Sequence, residues 1–245
     1  MRVVEDGHDA CDAVGGAVPQ RREAHREHPD GHAGQHRPEE RRERIDPYGC
    51  VVTGRLPDHI PGPGSLRLRR WVRTDAERLG RAVAESDEHL RPWMSWIAHE
   101  PLPLKERQAL IDGWEQEWLA GGDVVMGIFS EGRVAGGCGL HRRIGPGGLE
   151  IGYWTHRAFL RRGIATSAAR LLTDAAFVCS KITRVEIHQD QANLASGAVP
   201  RHLGFRLVRE VSDEAEAPGE TGISYEWRIT REEWHRLRAQ PPAAA

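Results

Sequence analysis

The stretch Leu149–Ala176, LEIGYWTHRAFLRRGIATSAARLLTDAA, leaves few options for its local fold. Leu149, Ile151 and Tyr153, with Trp154 behind them, make a short apolar run that reads as a buried strand. A basic turn with Arg161, Arg162 and Gly163 follows. After it, Ile164, Ala168, Leu171, Leu172 and Ala175 fall on one helical face. Strand, glycine-containing turn and helix start together place free backbone N–H groups and the positive helix end at one point. That arrangement suits a phosphate-bearing ligand.

The segments downstream make the pattern specific. A strand-like RVEIH (Arg184–His188) leads into Asn193-Leu194-Ala195-Ser196 and then into Leu203-Gly204-Phe205. The EIGYW strand, the RRGIAT turn, the RVEI strand, the Asn193/Ser196 pair and the LGF end occur in an order and spacing that resemble the GNAT superfamily of acetyl-CoA-dependent N-acetyltransferases. The likeness runs from about Leu66 to Trp234 and points to the branch that acetylates the N-termini (alanine or serine) of ribosomal proteins. One position departs from the family's turn: Gly163 and Ala165 are in register, but Leu160 stands where the family carries Arg or Gln.

The resemblance implies an α+β fold with a mixed, mostly antiparallel sheet, splayed at the acetyl-CoA site and flanked by helices. It implies acetyl-CoA as co-substrate, with the pantetheine arm between the strands of Leu149–Thr155 and Arg184–His188. The cofactor contacts it carries over are Tyr153, Trp154, Thr155 and His156 on the strand, and Arg161, Arg162, Gly163, Ile164, Ala165 and Thr166 at the turn. It further places Asn193 against the arm and Ser196 near the sulfur, where a hydroxyl can stabilise or protonate a leaving thiolate. Read from residue type alone, Asn193 is an N-cap and Ser196 a polar residue of the first turn. Other branches carry a tyrosine acid in this helix, but its position here is Pro200.

For the general base the resemblance points to Glu150. Strand alternation sends Glu150 away from the face of Leu149 and Ile151, toward a substrate cleft or toward solvent. Glu186 and His188 share a face of the adjacent strand and are the fallback candidates. An N-terminal amine titrates near 8, so modest assistance suffices. Trp71, Trp114 and Trp118 sit at periodic positions and read as core. Trp93 and Trp96, beside the break at Pro92, read as the wall of the acceptor site.

A net charge of −2 and 39% hydrophobic residues fit a globular chain that binds no polyanion through bulk charge. No apolar run approaches a membrane span, and no Walker A pattern supports a nucleotide-binding P-loop. The expectation is a cytoplasmic, bacterial enzyme, monomeric or homodimeric, without direct nucleic-acid or membrane partners. Cys11, Cys50, Cys138 and Cys179 lack paired spacing and read as free thiols.

Residues 1–55 contain no Leu, Phe or Trp, so they cannot bury enough apolar surface to offset ordering entropy. They read as a disordered extension, or as translated upstream sequence, with Val51 and Val52 encoding possible GTG starts. Their His25, His28, His32 and His36 are interrupted by Pro29, Gly31 and Gly34 and read as solvated residues, not metal ligands. The domain is expected over residues 66–236, with 237–245 a disordered tail. Its first helix is expected to open at a Thr74–Glu77 capping box, and a second to span about Leu104–Ala120. A hairpin is expected to turn at Glu131-Gly132, with late strands at Phe205–Val211 and Ile223–Ile229. The acceptor stays open between a protein N-terminus and a small amine. A non-catalytic acyl-CoA-binding sensor of the same fold is the alternative to an enzyme.

Overall fold

The computed structural model of the protein describes residues 59–240. The expectations for residues 1–55 and 241–245 lie outside the described residues. In chain order the elements are β1 (His59–Pro61), β2 (Arg67–Arg70), α1 (Ala76–Leu90), α2 (Leu104–Leu119), β3 (Val124–Ser130), β4 (Arg133–His141) and β5 (Gly148–Thr155). There follow α3 (Ile164–Ala176), β6 (Arg184–Asp190), α4 (Leu194–His202), β7 (Arg206–Ser212), β8 (Ile223–Thr230) and α5 (Arg231–Ala239).

The strands form one sheet in the order β1-β2-β3-β4-β5-β6-β8-β7. Every neighbouring pair is antiparallel except β5 and β6. The β3–β4 turn falls at Glu131 (φ 54°) and Gly132 (φ 73°), the paired positive values that a two-residue hairpin favours.

Strand alternation sorts the side chains into two cores. On one face Leu68, Met126, Ile128, Leu140, Leu149, Ile151, Val185, Ile187 and Ile229 pack with Ala168, Ala169 and Leu172 of α3 and Trp234 of α5. Ala168 and Ala169 are fully buried, and their small side chains let α3 lie close to the strands. On the other face Phe129 and Val134 pack with Trp71 and with Leu79, Val83 and Leu90 of α1 and Ile111 of α2. Inside this second core lies a buried ion pair. Arg107 of α2 donates from Nη1 to Glu100 Oε1 at 3.0 Å, and Glu100 Oε2 accepts from the Leu102 amide at 2.9 Å. A Cβ at Gly80 of α1 would lie 3.0 Å from Arg107 Nε, so the glycine makes room for the guanidinium.

Several boundaries differ from the expectations. Among the described residues the sheet begins at β1, ahead of Leu66, because His59–Pro61 pairs with Arg67–Arg69 at the sheet edge. No Thr74–Glu77 box forms. A 3-10 turn at Arg73–Asp75 precedes α1, and the Asp75 carboxylate accepts from the Val72 amide at 3.1 Å and from Arg69 at 2.6 and 2.9 Å. α5 continues to Ala239, past the expected limit at 236, because Leu237 extends the face begun by Trp234 and packs near Gly204. Cys138 is a buried free thiol, but Cys179 is disulfide-bonded, contrary to the expectation of free thiols. Cys179 is only half-buried at the end of α3 and open to a second cysteine, whereas Cys138 is enclosed.

Gly136 of β4 is opposite Thr155, and a Cβ there would lie 2.1 Å from the Trp154 carbonyl oxygen. Gly136→Ala must therefore push the β4 and β5 backbones apart, at a cost of about 1–3 kcal/mol typical of overpacking. Urea unfolding should show a lowered midpoint; an unchanged midpoint would mean that the two backbones have slack.

Candidate active site

The parallel strands β5 and β6 pair over three residues only: Gly148 with Arg184, Leu149 with Val185 and Glu150 with Glu186. Beyond that point β5 continues along β4 and β6 along β8, so Ile151–Thr155 and Ile187–Asp190 present unbonded edges to each other across a gap. Unpaired backbone donors and acceptors at the carboxyl ends of parallel strands are a natural seat for a ligand rich in amides.

β5 leads into α3 and β6 into α4, so both helices start at the open end of the gap. At the first, Arg161 (φ 58°) and Gly163 (φ 72°) adopt left-handed conformations. The amides of Arg161, Arg162, Gly163, Ile164, Ala165 and Thr166 donate no hydrogen bond among the described residues; the first bond of the helix runs from Ser167 to the Gly163 carbonyl at 2.9 Å. The turn thus gathers free donors at the positive end of α3, an arrangement that favours an anion. Its two arginines differ. Arg161 is exposed and without a partner among the described residues, whereas Arg162 pairs with Glu131 and sits 5.0 Å over the Phe159 ring. Leu160 is 44% exposed, consistent with a position that contributes no polar contact.

At the start of α4, Asn193 Oδ1 accepts from the Ser196 amide at 3.1 Å, the N-cap expected from residue type. Tyr153 reaches from β5 to the same residue. Its hydroxyl donates to the Ser196 carbonyl at 3.0 Å and lies 3.2 Å from Ser196 Oγ. Burial pushes the Tyr153 phenol up to about 12, against the lowering effect of Ser196.

The opposite face of the strands holds charged groups. Glu150 is buried and accepts from Arg143 Nε at 2.8 Å. Burial pushes its pKa up, but Arg143 and His188 outweigh this and hold the carboxyl below its ordinary range. A carboxylate so held is a poorer proton acceptor than the base expected at this position. His188 lies between two carboxylates, with Nε2 2.9 Å from Glu186 and Nδ1 3.5 Å from Glu150. Burial favours the neutral ring, yet the Glu186 hydrogen bond and the charges of Glu150, Glu186 and Glu226 raise its pKa. Glu186 itself, pushed up by burial, is brought down to about 2 by His188 and Arg228. Glu186, His188 and Glu226 gather within 4.8 Å, but Arg228 and Arg209 already neutralise the two carboxylates, so the cluster is an ion-pair network.

The aromatic and histidine expectations divide. Trp96 packs on Trp154, ring centroids 6.3 Å apart, and the Trp154 indole lies over Gly137 on the charged face. Trp154 can therefore offer the gap only its backbone. Trp93 is half-buried in the turn after α1, its amide bonded to the Leu90 carbonyl. The Thr155 carbonyl already accepts from His89 at 2.9 Å. His156 does not fit the role of a cofactor contact. Its ring is buried with both nitrogens committed, to Glu85 at 3.0 Å and to the Ala158 amide at 3.1 Å, and its own amide bonds Ala135.

One feature of the site went unread in the sequence. A cavity of about 510 Å³ opens between α3, α4 and α5, lined in part by Thr166, Ser167, Arg170, Arg201 and Arg238. Arg170 stands one turn beyond Thr166 on α3 and has no partner among the described residues. The i, i+4 spacing of Thr166 and Arg170 was the available signal; Arg201 and Arg238 join them only through the packing of three helices.

Comparison with known proteins agrees with this geometry. Residues 65–206 match the profile of the acetyltransferase (GNAT) domain. A Bacillus subtilis protein, YdaF, which carries the provisional name of a ribosomal N-acetyltransferase, is 27% identical over 170 residues, 69% of this chain and 93% of its own. The structure of Mycobacterium smegmatis RimJ, solved with CoA-disulfide, superposes with a TM-score of 0.66 at 26% identity, over 75% of this chain and 94% of that one. RimL, a ribosomal L7/L12 α-N-protein acetyltransferase solved with coenzyme A, shares the fold with a TM-score of 0.64 at 20% identity, over 70% of this chain and 97% of that one. A sheet whose halves part after three residue pairs, between two helix starts, thus comes with a family match over residues 65–206: the chain belongs to the GNAT acetyltransferase family.

Proposed function

We propose that this N-acetyltransferase moves the acetyl group of acetyl-CoA directly onto the α-amine of a protein N-terminus, in a ternary complex. The observation that carries the reading is the gap between β5 and β6, which opens between the free amides of residues 161–166 and Ser196. The residues fit the co-substrate. Six donor amides and Arg161 suit a diphosphate, two unbonded strand edges suit the amides of a pantetheine arm, and Arg170 and Arg201 line a cavity of a size for the nucleotide end. When bound, acetyl-CoA supplies the acetyl group as a thioester. The name of YdaF supports a ribosomal protein as the acceptor.

Ser196 Oγ provides the hydrogen bond that stabilises the departing thiolate. The charged face receives the amine, with Trp96 and Trp154 as its apolar wall. His188 takes the proton of the ammonium. Its ring is half-buried, lies beyond the last β5–β6 pair and is held above its ordinary pKa by the carboxylates around it, while Glu150 is retained by Arg143.

The assay that tests the reading follows free thiol release with peptides bearing alanine or serine N-termini, their N-blocked forms, and small amines. Release with free peptides alone is expected; release with none of the amines would favour a sensor. Arg161→Ala should weaken acetyl-CoA binding several-fold, more at low salt than at high, and Arg162→Ala should weaken it less because Glu131 already holds that arginine. Equal, unaltered affinities in titration calorimetry would remove the phosphate role from this turn.

The pH dependence carries a sign. As a base, His188 works only when deprotonated, so the rising limb of kcat/KM should lie above the ordinary 6.5 and move down toward it in Glu186→Gln. An identical limb in His188→Gln would assign the proton to water. For stability the same groups act in opposite windows. The contribution of His188 is complete below 6.5 and lost as pH rises through its raised value. That of Glu186 is present above 4.5 and lost as pH falls toward about 2. Chemical denaturation across pH should show a decline on each side.

A further inference from the structure

Pro200 lies inside α4, where a residue with an N–H would bond the carbonyl four positions back, that of Ser196. Proline has no such donor, so the helix leaves this carbonyl without its usual partner. The bond is made instead from another element. Tyr153 Oη, on β5 across the gap, donates to the Ser196 carbonyl at 3.0 Å. The same phenol oxygen stands 3.2 Å from Ser196 Oγ. The amide of Ser196 is bound by Asn193 Oδ1 at 3.1 Å. Every polar atom of Ser196 is therefore held by a residue at the gap.

We propose that Tyr153 is the positioning residue for Ser196: the carbonyl that Pro200 leaves free anchors the phenol, and the anchored phenol fixes where Ser196 Oγ stands. The inference rests on the reading of Ser196 as the group that assists the leaving thiolate. With its own proton committed to the carbonyl, the phenol oxygen is an acceptor toward Ser196, whose hydroxyl hydrogen rests on it. When negative charge develops on sulfur, that hydrogen turns about the Cβ–Oγ bond while the oxygen keeps its place. No covalent bond is made or broken by Tyr153, and the phenol remains neutral, as its upward-shifted pKa allows. Reorganisation at the moment of transfer is confined to one hydrogen, which is how a pre-set donor lowers a barrier.

Two measurements test this. The first is a thermal-unfolding double-mutant cycle on the ligand-free protein with Y153F, P200A and the double variant. Y153F should lower the melting temperature more in the parent than in the P200A background, where the restored amide serves the Ser196 carbonyl. Equal shifts in both backgrounds would break the link between Pro200 and Tyr153 and overturn the proposal. The second is kinetic. Y153F should lower kcat roughly three- to tenfold, the worth of a hydrogen bond, with the KM for acetyl-CoA within about twofold of the parent. Y153F/S196A should be no slower than S196A, since a positioning residue has nothing left to position. If S196A lowers kcat and Y153F does not, or if the two effects multiply, Tyr153 does not act through Ser196. If S196A leaves kcat unchanged, the reading of Ser196 itself falls.

Discussion

Everything that distinguishes this sheet depends on the brevity of one parallel pairing. β5 and β6 share only Gly148–Glu150 and Arg184–Glu186, and each then follows a different antiparallel neighbour. Backbone groups that a continuous sheet would have consumed remain available at the point where α3 presents its own unbonded amides and α4 begins. A binding seat is thereby made without a dedicated loop, from hydrogen bonds that the strands decline to form.

The junction is also where the buried charges collect. Glu150 and Glu186, opposite each other in the last register pair, are both nearly inaccessible. Two facing carboxylates would repel strongly in that setting, and Arg143, Arg228 and His188 compensate. The matching keeps Glu150 and Glu186 ionised and, in return, their charges raise the pKa of His188. The proposed base and the integrity of the junction therefore draw on the same residues.

Much of this was legible because the relevant segments obey simple periodicities. α3 begins and ends where its apolar face and Gly163 put it, and the β3–β4 turn falls on Glu131 and Gly132. The parts that escaped lacked such a signal. α5 has only Trp234 and Leu237 as apolar contacts, and β1 has three residues, so neither announces itself without the surface it packs on. Thr74 offered a capping box, but Asp75 won the competition because Arg69, brought alongside by β2, binds its carboxylate. His156 read as a site residue from its place after the strand, yet Glu85 lies 71 positions away in sequence and only the packing of α1 reveals that the ring is occupied. Arg107 and Glu100 would pass for surface charges, and they are buried together.

The loop between β7 and β8 gives the molecule a second fastening. It crosses to the segment after α1, where the Gly219 amide donates to the Pro92 carbonyl at 2.8 Å and Ser95 Oγ donates to Glu216 at 3.1 Å. The two half-sheets are thus tied by the short β5–β6 pairing, by the apolar core that runs under both of them, and by this clasp. The clasp adds only two polar contacts, so the two halves are held in register chiefly by the apolar core beneath them.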